Sequence, residues 1–154
     1  MTPEETARQA ALRYVDFAPR TAAQVRRRLL RDGHDDTVID GVLGFLARAG
    51  LVDDERFSRD WVESRGTRKG LGRARLGAEL RGKGVPRDTA EEALASLSPA
   101  DELAAAAEAA RKRLGSDSLG DPAVRRRLAG FLQRRGYDWE TIAQVMALLR
   151  EEPA

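Results

Sequence analysis

Three glycines divide this chain at nearly equal intervals, and the apolar residues around each glycine recur at fixed offsets. Gly33, Gly84 and Gly136 are separated by 51 and 52 residues. Apolar residues stand eight and four positions before each glycine and six, ten and thirteen positions after it. They are Val25, Leu29, Ile39, Leu43 and Leu46; Leu76, Leu80, Ala90, Leu94 and Leu97; and Leu128, Leu132, Ile142, Met146 and Leu149. Spacings of three and four, interrupted by a residue that tolerates positive φ, predict two amphipathic helices joined by a tight turn.

A further helix is predicted ahead of each pair. These helices run from about Pro3 to Phe17, from near Asp53 through Trp61 to a frayed end at Gly66, and from Pro99 to Leu114. No run of alternating β-branched residues predicts a strand. We therefore expect an all-α protein of three tandem three-helix repeats, 1–50, 51–98 and 99–154, which form an elongated, curved array because neighbouring repeats must cover each other's apolar stripes.

Local signals refine the helix ends. Thr21, Asp36 and Asp121 stand where side chains would cap helix N-termini. Two glycine-rich segments, 66–72 and 115–120, are predicted to be flexible joints.

Composition excludes several classes of protein. The 154 residues include no cysteine, so disulfides and thiolate sites are excluded. No apolar run approaches the roughly 18 residues of a membrane span, and the N-terminal sequence lacks the pattern of a signal peptide. We expect a cytoplasmic protein without a membrane partner.

Charge follows the repeat. The chain carries 27 basic residues, 24 of them arginine, against 25 acidic ones. The middle helix of each repeat is basic and the third is acidic; residues 65–84 carry seven basic side chains and one acidic one, and residues 111–135 carry eight and two. If the repeats stack in register, the basic helices line up as a stripe suited to a polyanion or an acidic protein surface.

Catalytic and cofactor motifs are weak. Residues 77–83 (GAELRGK) fit part of a phosphate-binding loop, but Gly84 replaces the hydroxyl residue and the segment is predicted to be helical. His34 is the only histidine and follows its glycine at a packing position. Asp53, Asp54 and Glu55 are interpreted as first-turn charges. We expect no enzyme activity, no metal and no cofactor.

Trp139 differs from the other aromatic residues. Phe45, Phe57 and Trp61 are predicted to lie in the core, whereas the positions that match Trp139 in the other repeats hold Asp36 and Arg87. Two alternatives remain open: Trp139 packs at the start of the last helix, or it is an exposed anchor for a partner.

Three sequence blocks resemble the RecX family of bacterial regulatory proteins. They are residues 51–58 (LVDDERFS), 65–72 (RGTRKGLG) and 76–85 (LGAELRGKGV), supported by 11–14 (ALRY), 27–30 (RRLL) and 132–137 (LQRRGY), the last near an Arg-Arg-Gly-Phe motif of that family. The resemblance extends from about residue 8 to residue 150. It implies a modulator of the RecA recombinase that binds the nucleoprotein filament and suppresses strand exchange, ATP hydrolysis and coprotease activity.

The resemblance and the charge pattern together suggest a contact surface. The candidate residues are Arg27, Arg31, Arg65, Arg68, Lys69, Arg73, Arg75, Arg81, Lys83, Arg126, Arg134 and Trp139. We expect the middle-repeat cluster to provide the main electrostatic contact with the filament. Single-stranded DNA would be contacted directly or through the recombinase, by a monomer.

An alternative is a helix-turn-helix regulator that reads duplex DNA, because each glycine-centred helix pair resembles that motif. Residues 34–50, however, carry three aspartates and one arginine. A recognition helix needs side chains that read bases and neutralise phosphates, so this composition disfavours the alternative.

Overall fold

The structure, a computed structural model, describes residues 1–152, and within this range it contains helices and no strands. The α-helices are α1 (Pro3–Phe17), α2 (Ala22–Arg31), α3 (Asp36–Arg48), α4 (Asp54–Val62), α5 (Arg73–Gly82), α6 (Arg87–Ala95), α7 (Pro99–Leu114), α8 (Pro122–Arg134) and α9 (Trp139–Glu151). A π-helical segment, Glu63–Arg68, continues α4. The predicted all-α architecture of three three-helix repeats is confirmed.

The three glycine turns share one hydrogen-bonding pattern. Gly33, Gly84 and Gly136 have φ values of 93°, 80° and 97°. The residue after each glycine donates its backbone N–H to the carbonyl oxygen of the leucine five positions earlier, at 3.1 to 3.2 Å. This is the Schellman ending of a helix, which satisfies carbonyl groups that the helix itself leaves free.

The repeated apolar offsets form the core, with one shift in register. The leucines four positions before each glycine are fully buried. The residues six positions after each glycine, Ile39, Ala90 and Ile142, are almost completely buried. The ten-after residues Leu43, Leu94 and Met146 are only partly buried. The residues nine positions after each glycine, Val42, Ala93 and Val145, are buried in their place. They lie three residues beyond the buried position six after the glycine, so they fall on the same face of the helix, which is turned toward the core.

Helix caps follow the sequence with one correction. Thr21 accepts a hydrogen bond from the backbone N–H of Gln24, and Asp121 accepts one from Ala123. Asp36 is not a cap: it is the first residue of α3, and the side chain of Asp35 accepts from the backbone N–H of Val38 at 3.0 Å. Asp35 stands one residue outside the helix, where a side-chain oxygen can reach the third helical amide.

The chain forms two compact units. The first comprises Met1–Ser58 and Leu80–Ala90; the second comprises Arg59–Glu79 and the described residues from Glu91 onward. The core of the first unit joins α1, α2 and α3 through Ala7, Ala11 and the repeat residues. The core of the second joins α7, α8 and α9, where Ala106, Ala107 and Ala110 allow close packing. Among residues 1–152 no helix is long and apolar enough to cross a membrane.

Candidate functional site

The segment between α4 and α5 is packed rather than frayed. The expected fraying at Gly66 does not occur, because the helix continues in π form to Arg68 and Gly66 is buried. A Cβ atom at Gly66 would lie 3.1 Å from Leu76 Cδ1, and one at Gly70, whose φ is +70°, would lie 3.2 Å from Ala109 Cβ. The missing side chain of Gly66 accommodates Leu76 of α5, and that of Gly70 lets the segment approach Ala109 of α7. This packing fixes the backbone that carries Arg68 and Lys69.

Arg135 connects this segment to α8. Its Nη1 donates to the carbonyl oxygen of Lys69 at 2.6 Å and lies 3.5 Å from that of Gly70. The guanidinium carbon of Arg135 stands 4.8 Å from the centroid of the Phe131 ring, and that of Arg113 stands 5.3 Å from it. Cation–π contacts of this kind hold both guanidinium groups at defined positions.

Two adjoining clefts meet at Lys69, Phe131 and Arg135. One, about 400 Å³ in volume, lies between residues 67–70, α7 and the end of α8, and its cationic lining consists of Arg68, Lys69, Lys112, Arg113 and Arg135. The other, about 620 Å³, is lined by the cations Arg65, Lys69, Arg75, Arg134 and Arg135. We call these eight cations the Phe131 basic surface.

Glu79 anchors one side of this surface. Its carboxylate accepts from Arg65 Nε at 2.7 Å, from Arg65 Nη2 at 2.8 Å and from Arg75 Nε at 3.2 Å. Trp61 Nε1 donates to it as well, at 3.0 Å. The hydrogen bonds from Arg65 above all hold the pKa of Glu79 below its ordinary value, against the opposing effect of burial. Arg65 is therefore largely neutralised by Glu79, whose side chain is only 15% exposed.

Arg73 lines neither of the two clefts and is held instead by Glu102. Glu102 accepts from both the backbone N–H of Arg73, at 3.1 Å, and its Nε, at 3.4 Å. The Arg73 guanidinium also approaches the carbonyl oxygens of Leu94 and Leu97. Arg73 thus fastens α5 to its neighbours in the second unit.

The twelve residues selected from the sequence separate into groups. Five of them line the two clefts: Arg65, Arg68, Lys69, Arg75 and Arg134. Arg27, Arg31, Arg81 and Lys83 belong to the first compact unit, while Arg126 and Trp139 line a different groove of the second. The sequence-based selection missed Lys112, Arg113, Phe131 and Arg135, although the excess of basic residues in 111–135 marked the region.

The Phe131 basic surface has the chemistry of a phosphate-binding surface. Among residues 1–152, no carboxylate forms an ion pair with Arg68, Lys69, Lys112 or Arg134. Clustered arginines favour bidentate contacts with phosphate or carboxylate groups, and uncompensated like charges raise the affinity for a polyanion. The same described residues contain no group of three potential metal ligands.

The comparisons agree with the threefold architecture. Models of the first, second and third three-helix domains of RecX match residues 7–46, 53–94 and 100–146 respectively. The Regulatory protein RecX of Thermobifida fusca is 44% identical over 147 residues, which cover 95% of this chain and 78% of that protein. The Regulatory protein RecX of Mycolicibacterium smegmatis is 38% identical over 152 residues, 96% of this chain and 81% of that protein.

Solved structures share the fold. The crystal structure of RecX from Lactobacillus salivarius superposes with a TM-score of 0.85 at 19% identity, covering 96% of this chain and 97% of that one. A second structure, described as regulatory protein RecX, gives a TM-score of 0.83 at 18% identity, covering 94% and 73%. The three-helix repeat is therefore retained at low sequence identity.

Proposed function

This chain belongs to the RecX family of regulatory proteins, and on that premise we propose that it binds the nucleoprotein filament of the RecA recombinase and inhibits it. The inhibited activities are strand exchange, ATP hydrolysis and coprotease function. The chain acts by binding and carries out no chemistry of its own. Because such a filament forms in the bacterial cytoplasm, we place the protein there, acting as a monomer without a cofactor.

The observation that supports this proposal is the Phe131 basic surface. It joins cations from three separate parts of the chain around two clefts, and Arg135 fixes their spacing through its bonds to the Lys69 and Gly70 carbonyls. A nucleoprotein filament offers a repeated array of phosphates and acidic side chains. A rigid group of cations binds such an array with a smaller loss of side-chain entropy than scattered surface arginines do.

The proposed contact has a centre and a periphery. The centre consists of the cations of the Phe131 basic surface that form no ion pair with a carboxylate in residues 1–152: Arg68, Lys69, Lys112, Arg113, Arg134 and Arg135. The remaining candidates provide secondary contacts: Arg27, Arg31, Arg65, Arg73, Arg75, Arg81, Lys83, Arg126 and Trp139. Single-stranded DNA within the filament supplies the phosphates, while the recombinase supplies carboxylates.

The test is the rate of ATP hydrolysis by the recombinase on single-stranded DNA, titrated with this protein. We expect the rate to fall as the protein approaches stoichiometric amounts. Strand exchange and repressor cleavage, followed in the same titration, should fall with it. An unchanged hydrolysis rate at stoichiometric protein would contradict the proposal.

The helix-turn-helix alternative has less support. In the first repeat, Arg26 of α2 forms ion pairs with Asp36 and Asp40 of α3, at 3.7 and 2.5 Å. The third helix therefore presents carboxylates where a recognition helix would present donors to bases and phosphates. Gel shifts with random duplex and with preformed filament separate the two functions, since a preference for duplex without recombinase would favour the alternative.

A further inference from the structure

The groove between the middle and third helices differs sharply between the first and third repeats. Four positions border it: seven and six residues before the central glycine and three and seven residues after it. In the first repeat they hold Arg26, Arg27, Asp36 and Asp40; in the third they hold Ala129, Gly130, Trp139 and Ala143. Because the two repeats have the same backbone plan, the first repeat is an internal control for the third.

Ion pairs bridge the groove of the first repeat. The Nη2 atom of Arg26 donates to Asp40 Oδ1 at 2.5 Å, and Nη1 lies 3.7 Å from Asp36 Oδ1. The guanidinium group thus spans α2 and α3. Charged side chains therefore stand across the groove of the first repeat.

The groove of the third repeat is open and largely apolar. It has a volume of about 510 Å³ and lies between α8 and α9. Ala129, Gly130 and Ala143 are too small to fill it, and Ile142 and Met146 form its apolar floor. Trp139 stands at its edge with 62% of its surface exposed. This exposure does not fit the packing alternative, since a stapling role would bury the ring, and the role of Trp139 as an anchor for a partner stays a prediction.

The rim of this groove is positive. Arg125 and Arg126 border it at the start of α8. Arg125 is held in place because its Nη1 donates to the carbonyl oxygen of Leu119 at 2.6 Å. In the part of the chain that the structure describes, neither arginine forms an ion pair with a carboxylate. An apolar floor beside two unneutralised arginines is complementary to a segment that combines an apolar side chain with carboxylates.

We propose that this groove, the Trp139 groove, docks an acidic segment of the recombinase that inserts an apolar side chain against Trp139 and presents carboxylates to Arg125 and Arg126. This inference rests on the proposed function, since it takes the recombinase as the partner, and adds a protein contact distinct from the Phe131 basic surface. The occupant is protein rather than nucleic acid because the floor offers apolar contact where a phosphate backbone would need donors. Exposed tryptophan beside arginine is typical of the residues that dominate binding energy in protein interfaces.

Two variants copy the first repeat into the third. Trp139→Asp installs the residue type found at Asp36, and an acidic residue in the first turn of α9 is favourable for the helix. The double variant Ala129→Arg with Ala143→Asp rebuilds the Arg26–Asp40 bridge across the groove. Trp139 and Ala143 are exposed. Ala129 is partly buried beside the core, as is Arg26 at the matching position of the first repeat. Phe17→Asp, which replaces an aromatic residue that is 86% exposed elsewhere, is the matched control.

Two measurements test the inference: binding to recombinase filaments assembled on poly(dT), by sedimentation, and inhibition of their ATP hydrolysis. We expect each groove variant to weaken binding at least tenfold, with Phe17→Asp unchanged. Wild-type Trp139 fluorescence should shift to shorter wavelength on binding, and the shift should be absent in Trp139→Asp.

The outcomes separate the two proposals. Groove variants that bind and inhibit like the wild type overturn the docking inference and leave the proposed function intact. Wild-type protein that binds through Trp139 without inhibiting contradicts the proposed function and supports the docking inference, while wild-type protein that does not bind contradicts both. If the isolated protein forms a dimer and Trp139→Asp abolishes it, the occupant of the groove is a second copy of the chain. If the protein binds poly(dT) alone and this binding depends on Trp139, the occupant is nucleic acid. Either result overturns the docking inference.

Discussion

The side-chain hydroxyl of Thr21 donates a hydrogen bond to the carbonyl oxygen of Lys83, 2.6 Å away, and thereby joins the start of α2 to the glycine turn of the second repeat. The same oxygen accepts from the backbone N–H of Gln24 as the cap of α2. A Cβ atom added at Gly84 would lie 2.3 Å from Ala23 Cβ, so the turn and the helix start are in direct contact. A single side chain thus connects helix capping to the packing of one repeat against the next.

Thr21→Val removes this hydroxyl while keeping the shape of the side chain. Thr21 is fully buried, so the variant loses the helix cap and leaves the Lys83 carbonyl without this donor. We expect a loss of about 2–3 kcal/mol in the free energy of unfolding. Urea denaturation followed by far-UV circular dichroism measures it. Thr21→Ser, which retains the hydroxyl, should lose less than half as much, and equal losses in both variants would mean that the hydrogen bonds contribute little.

The second unit contains the same kind of joint. Gly72, at the start of α5, donates its backbone N–H to the carbonyl oxygen of Arg135 at 2.7 Å, and Ala74 donates to that of Gly136 at 3.3 Å. Gly72 and Thr21 both stand twelve residues before the glycine of their own repeat. Each joint therefore places the start of a middle helix on the glycine turn of the following repeat.

Gly72→Ala should destabilise the second unit. The new Cβ atom would lie 2.5 Å from the carbonyl carbon and oxygen of Gly136, and backbone atoms cannot move aside as a flexible side chain can. We expect a loss of about 1–3 kcal/mol, the range for overpacking. The measurement is the thermal unfolding midpoint. Gly82→Ala, in the same helix but with open space around the glycine, should be neutral or raise the midpoint slightly.

Much of the fold could be predicted because it depends on local signals. The glycine turns, the start of α7 at Pro99 and the end of α1 at Phe17 follow from residues adjacent in sequence. The sequence did not show that the residue nine positions after each glycine, rather than the one ten positions after it, lies in the core. Val42 and Leu43 are both apolar, and only the packing partner selects between them.

The site was harder to predict because its contacts are long-range. Glu102 holds Arg73 across 29 residues of sequence, and Arg135 reaches Lys69 across 66. Charge counts identified both basic regions but not which arginines an internal carboxylate would neutralise. The sequence predicts a frayed helix end at Gly66, whereas the helix continues to Arg68 and the missing side chain of Gly66 accommodates Leu76.

Tyr137→Phe tests a buried polar group that has no role in the interactions above. Tyr137 is 4% exposed, and among residues 1–152 its hydroxyl has no hydrogen-bond partner. Burial raises the pKa of this phenol. Because an unsatisfied buried hydroxyl carries a desolvation cost, we expect the variant to be neutral or more stable by about 1 kcal/mol, measured by urea denaturation. The resemblance to the Arg-Arg-Gly-Phe motif agrees with this expectation, and a loss above about 1 kcal/mol would contradict it.

Glu79→Gln should change how stability depends on pH. The pKa of Glu79 is lower in the folded protein than its ordinary value of 4.5, chiefly because of Arg65. Its ion pairs therefore stabilise the fold above about pH 4.5, and this stabilisation is lost as the pH falls through the lowered value.

The measurement is the free energy of unfolding in urea between pH 7 and pH 3. We expect the variant to be less stable than the wild type by about 1–2 kcal/mol at pH 7. The difference between the two proteins should shrink as the pH falls. A constant difference across the range would show that Glu79 acts through shape or neutral hydrogen bonds alone.

Charge reversal at Lys69 and Arg134 tests the centre of the Phe131 basic surface. Both side chains are exposed and line the 620 Å³ cleft. Neither forms an ion pair with a carboxylate in residues 1–152, so their replacement should leave stability nearly unchanged. Lys69→Glu with Arg134→Glu should weaken binding to recombinase filaments by tenfold or more. The affinity of the double variant should also depend less on salt. The slope of log affinity against log salt concentration should be shallower by about one for each phosphate that the variant no longer neutralises.

The matched control changes net charge by the same amount elsewhere. Arg13 and Arg59 are exposed and form no ion pair within the described residues. Arg13→Glu with Arg59→Glu should reduce affinity only through the weak, screened effect of total charge. If both double variants lose affinity equally, net charge rather than the geometry around Phe131 governs binding. If only the first loses it, the arrangement that Arg135 fixes is the recognition element.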